Sequence, residues 1–298
     1  MNYAEKRSIH IHYEIFGDES GIPLLLVMGL GMPLKAWPKL FIQSLVREGF
    51  RVIVFDNRDS GKSTQISHDV RPMDVVEAIF KALTRQKVTS AYTLEDMADD
   101  ALSVLDSLGI ARAHVLGISM GEMIGQVLAS RHPHRLSSLT SIMSASGNPR
   151  TGVGKLRALK GLLTKPENAF DVKSLRDYLK KMFRLIGSEE MGYSDVQIQE
   201  IAQYMVDNHY QPQATSRQLL AILASGDRRS QLKHITVPTL VIHGQDDPLL
   251  PIEAGKEVAD LIPGARLMVV PRMGHDLPTS SIELFVKEVS SHCRNHRY

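Results

Sequence analysis

The sequence predicts a doubly wound α/β protein with a mostly parallel sheet. Two observations carry that prediction. Six short runs, 24–28, 52–56, 114–118, 139–143, 240–243 and 267–270, are β-rich and almost continuously apolar. Strands that read this way are buried on both faces, as parallel strands covered by helices are. Stretches of helical period lie between the runs, so strand and helix alternate along the chain.

The helices have legible ends. The one expected at 93–108 opens with Thr93-Leu94-Glu95-Asp96, a cap followed by first-turn acids, and stops at Gly109. A helix over 120–132 stops before Pro133, and one over 251–261 before Pro263. Two segments break the rhythm. Residues 146–233 lack strand patterns and read as amphipathic helices, 175–186 and 196–206 among them. Residues 65–91 include a helical run at 75–83. Neither segment can extend the sheet, so both are expected over its edge. The expected organisation is a core of 1–145 and 234–298, a helical lid of 146–233, and a smaller helical insert of 65–91.

A length of 298 residues fits one large α/β unit with an insertion. Against 33 acidic residues stand 35 Lys and Arg, a formal charge of +2 that gives no strong field for nucleic acid or anionic membrane. A single cysteine, Cys293, excludes an intramolecular disulfide and a zinc site built on several cysteines. The first residues carry basic side chains without an apolar stretch after them, and no run approaches the length of a membrane span. A cytoplasmic protein is expected, and a homodimer is compatible with the sequence.

Ligands of open parallel sheets bind beyond the carboxyl ends of the strands. Three reactive groups follow strand ends here: Ser119 in Gly117-Ile118-Ser119-Met120-Gly121, Asp247 in Gly244-Gln245-Asp246-Asp247, and His275 in Met273-Gly274-His275. A serine hydroxyl attacks poorly until a positioned imidazole takes its proton. His275 is the expected base and Asp247 the residue that holds its tautomer. The G-x-S-x-G turn from strand to helix pushes the hydroxyl outward. Backbone N–H groups of Met120 and Leu30 are the expected oxyanion hole, and Met28, Gly29 and Met143 the expected substrate contacts. No metal site is expected.

The order Ser, Asp, His in this context resembles the α/β-hydrolase superfamily over nearly the whole chain. Asp56-Asn57-Arg58-Asp59-Ser60-Gly61-Lys62-Ser63 is similar to the superfamily's D-x-R-G-x-G-x-S loop. The runs 24–29, 117–121 and 271–278 resemble those of the aclacinomycin methylesterase-like esterases. The resemblance implies the α/β-hydrolase fold with a helical lid after the sixth strand. It also implies carboxylic ester hydrolysis with no metal or organic cofactor; the expected substrate is an apolar, uncharged ester, cleaved through an acyl-enzyme. Lactonase, carbon–carbon bond hydrolase and perhydrolase chemistry share the triad, and a small-molecule receptor on the same scaffold is a rival of another class. Departures from the pattern are Asp59 in place of glycine and Glu122 where a second glycine is common, with two readings open for Glu122: a cap on the helix, or a carboxylate facing the pocket and disfavouring acidic substrates.

Other signals have plainer readings. Asp246, beside Asp247, reads as a solvated turn residue, and Asp276 is a remote third choice for the acid. Gly61-Lys62-Ser63 suggests a phosphate loop, but the glycine such a loop needs would stand where Asp56 does. His10 and His12 share one strand face without a third ligand, which favours surface histidines. His132-Pro133-His134 reads as a helix end and turn, Trp37 as packing near the first helix, and the tail 294–297 as a solvated terminus. Thirteen methionines, among them Met28, Met32, Met120, Met123, Met143 and Met273 near the motifs, divide between pocket lining and core filling.

Overall fold

The computed structural model of the chain describes residues 2–6, 8–162, 164–190 and 192–296. One sheet contains β1 (Tyr3–Lys6), β2 (Ile9–Phe16), β3 (Ile22–Val27), β4 (Phe50–Phe55), β5 (Ala113–Ile118), β6 (Leu136–Ile142), β7 (Thr239–Gly244) and β8 (Arg266–Val270). Their order across the sheet is β1-β2-β4-β3-β5-β6-β7-β8. The pair β1 and β2 runs antiparallel at one edge, and the other six strands are mutually parallel.

All six apolar runs form strands. Met28, Asp56 and Met143, expected as last strand residues, instead open the loops that follow. The antiparallel edge is what the apolar pattern misses, because half of β2 is only partly covered. His10 and His12 do lie on β2. His12, however, is buried and not a surface residue: its backbone N–H donates to Ser63 Oγ.

Alternation divides the core between the two faces. Leu24 and Leu26 of β3 and Val52 and Val54 of β4 face one apolar layer. Leu25, Val27, Ile53 and Phe55 face the other. The first layer is covered by α1 (Lys39–Arg47), the second by α3 (Leu94–Ser107) and α4 (Met120–Arg131); between α1 and α3 in the chain comes α2 (Pro72–Leu83). As expected, Thr93 caps α3 in a reciprocal box with Asp96, and Gly109 beyond its end has φ +66°.

Five helices follow β6 before the chain returns to β7. They are α5 (Leu156–Leu162), α6 (Val172–Ile186), α7 (Asp195–Asp207), α8 (Pro212–Ser225) and α9 (Arg229–Leu232). Helices α10 (Ile252–Leu261) and α11 (Ile282–Asn295) complete the second and first layers. The apolar faces of α6 and α7 join the first layer through Leu175, Leu179, Phe183, Ile198 and Ile201. Helix α2 packs on α8 through Val75, Ala78 and Leu220. Trp37 is buried and stacks on Phe41 of α1. Arg294 and Asn295 are exposed, as expected of a solvated tail, and Arg294 makes a surface ion pair with Glu48 at 2.7 Å; Arg297 lies outside the described residues.

The loop after β4 fastens these helices to the sheet. Arg58 makes a forked pair with Asp100 of α3 at 2.6 and 2.7 Å. Asp59 accepts a second fork from Arg217 of α8, at 2.9 and 2.7 Å, and a bond from Tyr92 Oη at 2.7 Å. Its φ is +67°, the conformation the usual glycine would supply, and its carboxylate adds an anchor that glycine lacks. Both members of this pair are buried. Truncating one partner leaves the other as an unpaired buried charge. Arg217→Leu is therefore expected to cost about 3–5 kcal/mol, read as a lower urea midpoint, and Asp59→Leu in the same chain should recover part of it.

Candidate active site

Gly29, Ser119, Met143, Asp247 and His275 follow β3, β5, β6, β7 and β8, so parallel strand direction delivers them to one rim. The chain leaves β3 for β4 on one side and returns to β5 on the other. That reversal opens a crevice between the carboxyl ends of β3 and β5. Ser119 stands there with φ +53° and ψ −122°. Its N–H donates to Ile142 O at 3.0 Å, and its carbonyl accepts from Ser144 Oγ at 2.9 Å.

The glycines of the motif are explained by contact distances. A Cβ on Gly121 would lie 2.0 Å from Val27 O, and one on Gly117 would lie 2.4 Å from Glu122 Cα. No side chain fits either place. The N–H groups of Glu122 and Met123 donate to Ser119 O, at 3.1 and 3.2 Å. Those of Met120 and Gly121, ahead of them in α4, have no intrahelical acceptor, as in the first turn of any helix.

Ser119 Oγ lies 3.0 Å from His275 Nε2, and His275 Nδ1 lies 2.6 Å from Asp247 Oδ2. A carboxylate only accepts, so Nδ1 carries the proton and the lone pair of Nε2 faces the serine. Asp247 Oδ1 accepts the N–H groups of Leu249 and Leu250, at 2.8 and 2.9 Å. The carboxylate is thus fully engaged and its side chain wholly buried. His243 also sits near Asp247, at 3.7 Å, but burial lowers its pKa and its Nε2 bonds Leu250 O at 2.8 Å. Asp246 is exposed, in line with the expected turn role. Asp276 is buried, where it accepts from Ser188 N at 2.9 Å and Gly192 N at 3.1 Å. It ties the α6–α7 loop to the histidine loop.

A cavity of about 720 Å³ opens above the serine. Met28, Gly29, Leu30, Ser119, Met143 and His275 line it near the nucleophile, and Met182, Phe183, Ile186, Leu219, Ile222 and Leu223 come from α6 and α8. All three expected substrate contacts are among them. Met32 and Met123 line the cavity too, whereas Met120 and Met273 are core residues. Two further contributions were invisible in the sequence. Asn57 Nδ2 donates to Met28 O at 2.9 Å, and Gln218 Oε1 accepts from Gly31 N–H at 2.7 Å. Asn57 sits in a recognisable loop, but Gln218 carries no signal of its own in a helix of ordinary composition.

Residues 22–278 match the alpha/beta hydrolase fold family. The chain belongs to that family. It is 28% identical to rhodomycin D methylesterase DauP of Streptomyces sp. (strain C5), over 97% of this chain and 96% of that one. Identity to rhodomycin D methylesterase DnrP of Streptomyces peucetius is 29%, over 94% of each chain. Among solved structures, the enol-lactonase of Burkholderia xenovorans LB400 is similar at 26% identity and a TM-score of 0.69, covering 98% of this chain and 100% of that one. The protein is a serine hydrolase of the α/β-hydrolase fold.

Glu122 neither caps α4 nor lines the cavity of this hydrolase. It is wholly buried, and its Oε2 accepts from Gln126 Nε2 at 2.7 Å. Gln126 Oε1 accepts in turn from Arg228 Nε at 2.9 Å. Burial pushes the Glu122 pKa up to about 7, against the pull of Ser144, Arg228, Ser141 and Gln126. The same burial lowers Arg228 to about 10. Between the usual carboxylate pKa near 4.3 and about 7, the folded protein holds a proton here that the unfolded chain releases. This residue therefore makes stability fall as pH rises through that window. Glu122→Gln should gain thermal stability over wild type progressively from about pH 4.5 to 7, with a constant difference above, in melts at matched pH. A difference independent of pH would mean that Glu122 is ionised throughout.

Proposed function

We propose that this serine hydrolase cleaves carboxylic esters whose acyl or alcohol portion is apolar and uncharged. The observation that carries the reading is the 2.6 and 3.0 Å relay from Asp247 through His275 to Ser119 at the floor of a methionine-rich, largely apolar cavity. In this reading His275 Nε2 takes the proton as Ser119 Oγ bonds to the ester carbonyl carbon. The developing oxyanion is held by the N–H groups of Met120 and Leu30. Collapse expels the alcohol, which leaves with the proton from His275. Water, deprotonated by the same nitrogen, then attacks the acyl-serine; the bond from the acyl carbon to Ser119 Oγ breaks, His275 returns the proton to Oγ, and the acid is released. Asp247 holds the ring and stabilises the imidazolium formed in each half.

A volume near 720 Å³ lies in the range of cavities that enclose drug-sized molecules, so the acid or alcohol can be bulky. Helices α6 and α8 supply much of the wall, and the insert that carries them acts as the lid setting substrate size. The methylesterase relatives favour the ester reading. The enol-lactonase similarity, which also extends over nearly the whole chain, supports a lactone as the second reading; lactone opening needs the same acyl-enzyme steps.

The test is hydrolysis of p-nitrophenyl esters from acetate to decanoate beside a panel of lactones, with serine phosphonylation read by intact mass. Wild type should turn over esters and take one adduct. Ser119→Ala should lose the adduct and on the order of a million-fold in kcat, and Asp247→Asn about ten-thousand-fold. Lactone turnover well above ester turnover would replace the first reading with the second. An adduct without turnover of either panel would point to a receptor on a hydrolase scaffold.

A further inference from the structure

The loop after β3 bears the proposed oxyanion donor, Leu30 N–H, and the sheet holds it at one end only. Beyond Val27 its peptides have no strand partners; Met32 N–H donates to Gly29 O at 3.4 Å within the loop, and side chains hold the peptides on either side. The N–H in question belongs to the peptide between Gly29 and Leu30. The peptide before it is fixed through Met28 O, which accepts from Asn57 Nδ2 at 2.9 Å. The peptide after it is fixed through Gly31 N–H, which donates to Gln218 Oε1 at 2.7 Å. With both flanking planes held, the donor between them has little freedom to turn.

Gln218 does not come from the sheet. It lies on α8, within the insert, and is completely buried. Its Nε2 donates to Arg58 O at 2.8 Å, so one amide joins the loop after β3 to the loop after β4. Its neighbour Arg217 grips Asp59 beside Arg58, which fixes the rotation of α8 over both loops. Contact at Gly31 is close: its φ is +70°, and a Cβ there would lie 2.8 Å from Thr215 Oγ1 on the same helix. A neutral primary amide suits this place because one end must accept and the other donate. A carboxylate would set a second acceptor against Arg58 O, and a hydrocarbon would leave two buried backbone groups unpaired. Gln218 is not part of the cavity wall, so it acts on the reaction through the loop alone.

We propose that Gln218 is a positioning residue of the oxyanion hole, and that the helical insert is thereby a structural part of the catalytic centre as well as its cover. This rests on the reading of Ser119 as nucleophile and Leu30 N–H as oxyanion donor. A donor lost outright typically costs a hundred- to a thousand-fold in kcat, so one left loosely aimed should cost about ten- to a hundred-fold.

The experiment compares wild type, Gln218→Met, Gln218→Asn and Leu232→Ala, with Ser119→Ala as the blank. Methionine keeps the length without the bonds, and asparagine keeps the amide but falls short of spanning both loops. Leu232, buried on α9 in the second layer, supplies a destabilised variant outside the loop and outside its polar bonds. Steady-state kcat and KM on a p-nitrophenyl ester, phosphonylation rate and thermal midpoint are measured for each. Both Gln218 variants should lose about ten- to a hundred-fold in kcat and phosphonylation rate, with KM within about twofold of wild type. Leu232→Ala should melt earlier yet keep its kcat. Should either Gln218 variant fold and retain the wild-type kcat, or should Leu232→Ala lose kcat to the same degree at equal destabilisation, the positioning role is overturned. Wild type that matches Ser119→Ala in both turnover and labelling would overturn the serine reading itself, and this proposal with it.

Discussion

The site depends on one steric constraint: the start of α4 presses against the ends of β3 and β5 with no atom to spare. Gly121 lies so near Val27 O that a methyl group cannot enter, and Gly117 lies as near to the α4 backbone. The short approach forces the sharp turn at Ser119 and its positive φ. It also brings the first-turn N–H groups of α4 beside the loop after β3, where the second expected oxyanion donor lies. Serine orientation and the nearness of the α4 N-terminus to the loop after β3 both follow from that contact. Such strain persists only where the surroundings over-determine it, and here three parallel strands do so.

A second level of order comes from buried polar bonds among loops. Asp56, Asn57, Arg58 and Asp59 are consecutive, and each holds a different part of the molecule. Asp56 accepts from Leu34 N–H and from Tyr204 Oη of α7, at 2.7 Å each. Asn57 holds Met28, Arg58 holds α3, and Asp59 holds α8. Four buried polar residues in a row are costly unless every one is paired, and their pairing links sheet, insert and the loop after β3. The insert is thus seated by directional bonds, while its apolar inner face remains free to shape the cavity.

Legibility in the sequence followed the kind of signal involved. Continuous apolar runs located six strands; five are buried on both faces, which leaves few polar positions to confuse the period, while β8 at the sheet edge is apolar in sequence yet partly exposed. The edge strands β1 and β2 were harder, because half-covered strands mix polar and apolar residues. The G-x-S-x-G turn and the residues that follow β7 and β8 were readable because local backbone geometry demands them in order. His12 was misread and Glu122 left open for one reason. Whether a polar residue is solvated or buried depends on partners distant in the chain, and composition does not name them.

Taken alone, the sequence determined the doubly wound α/β class, the strand ends where chemistry can occur, and the triad of residue types that point to acyl transfer. These are local properties, set by period, turn chemistry and chain order. Tertiary structure alone decided that Glu122 meets Gln126, and through it Arg228, away from the cavity, that four of the motif-adjacent methionines line the cavity, and that Asp59 answers Arg217. It also decided that an unremarkable glutamine at 218 reaches the loop after β3. Each of these pairs residues far apart in the chain, and only folding brings a donor within hydrogen-bond reach of its acceptor.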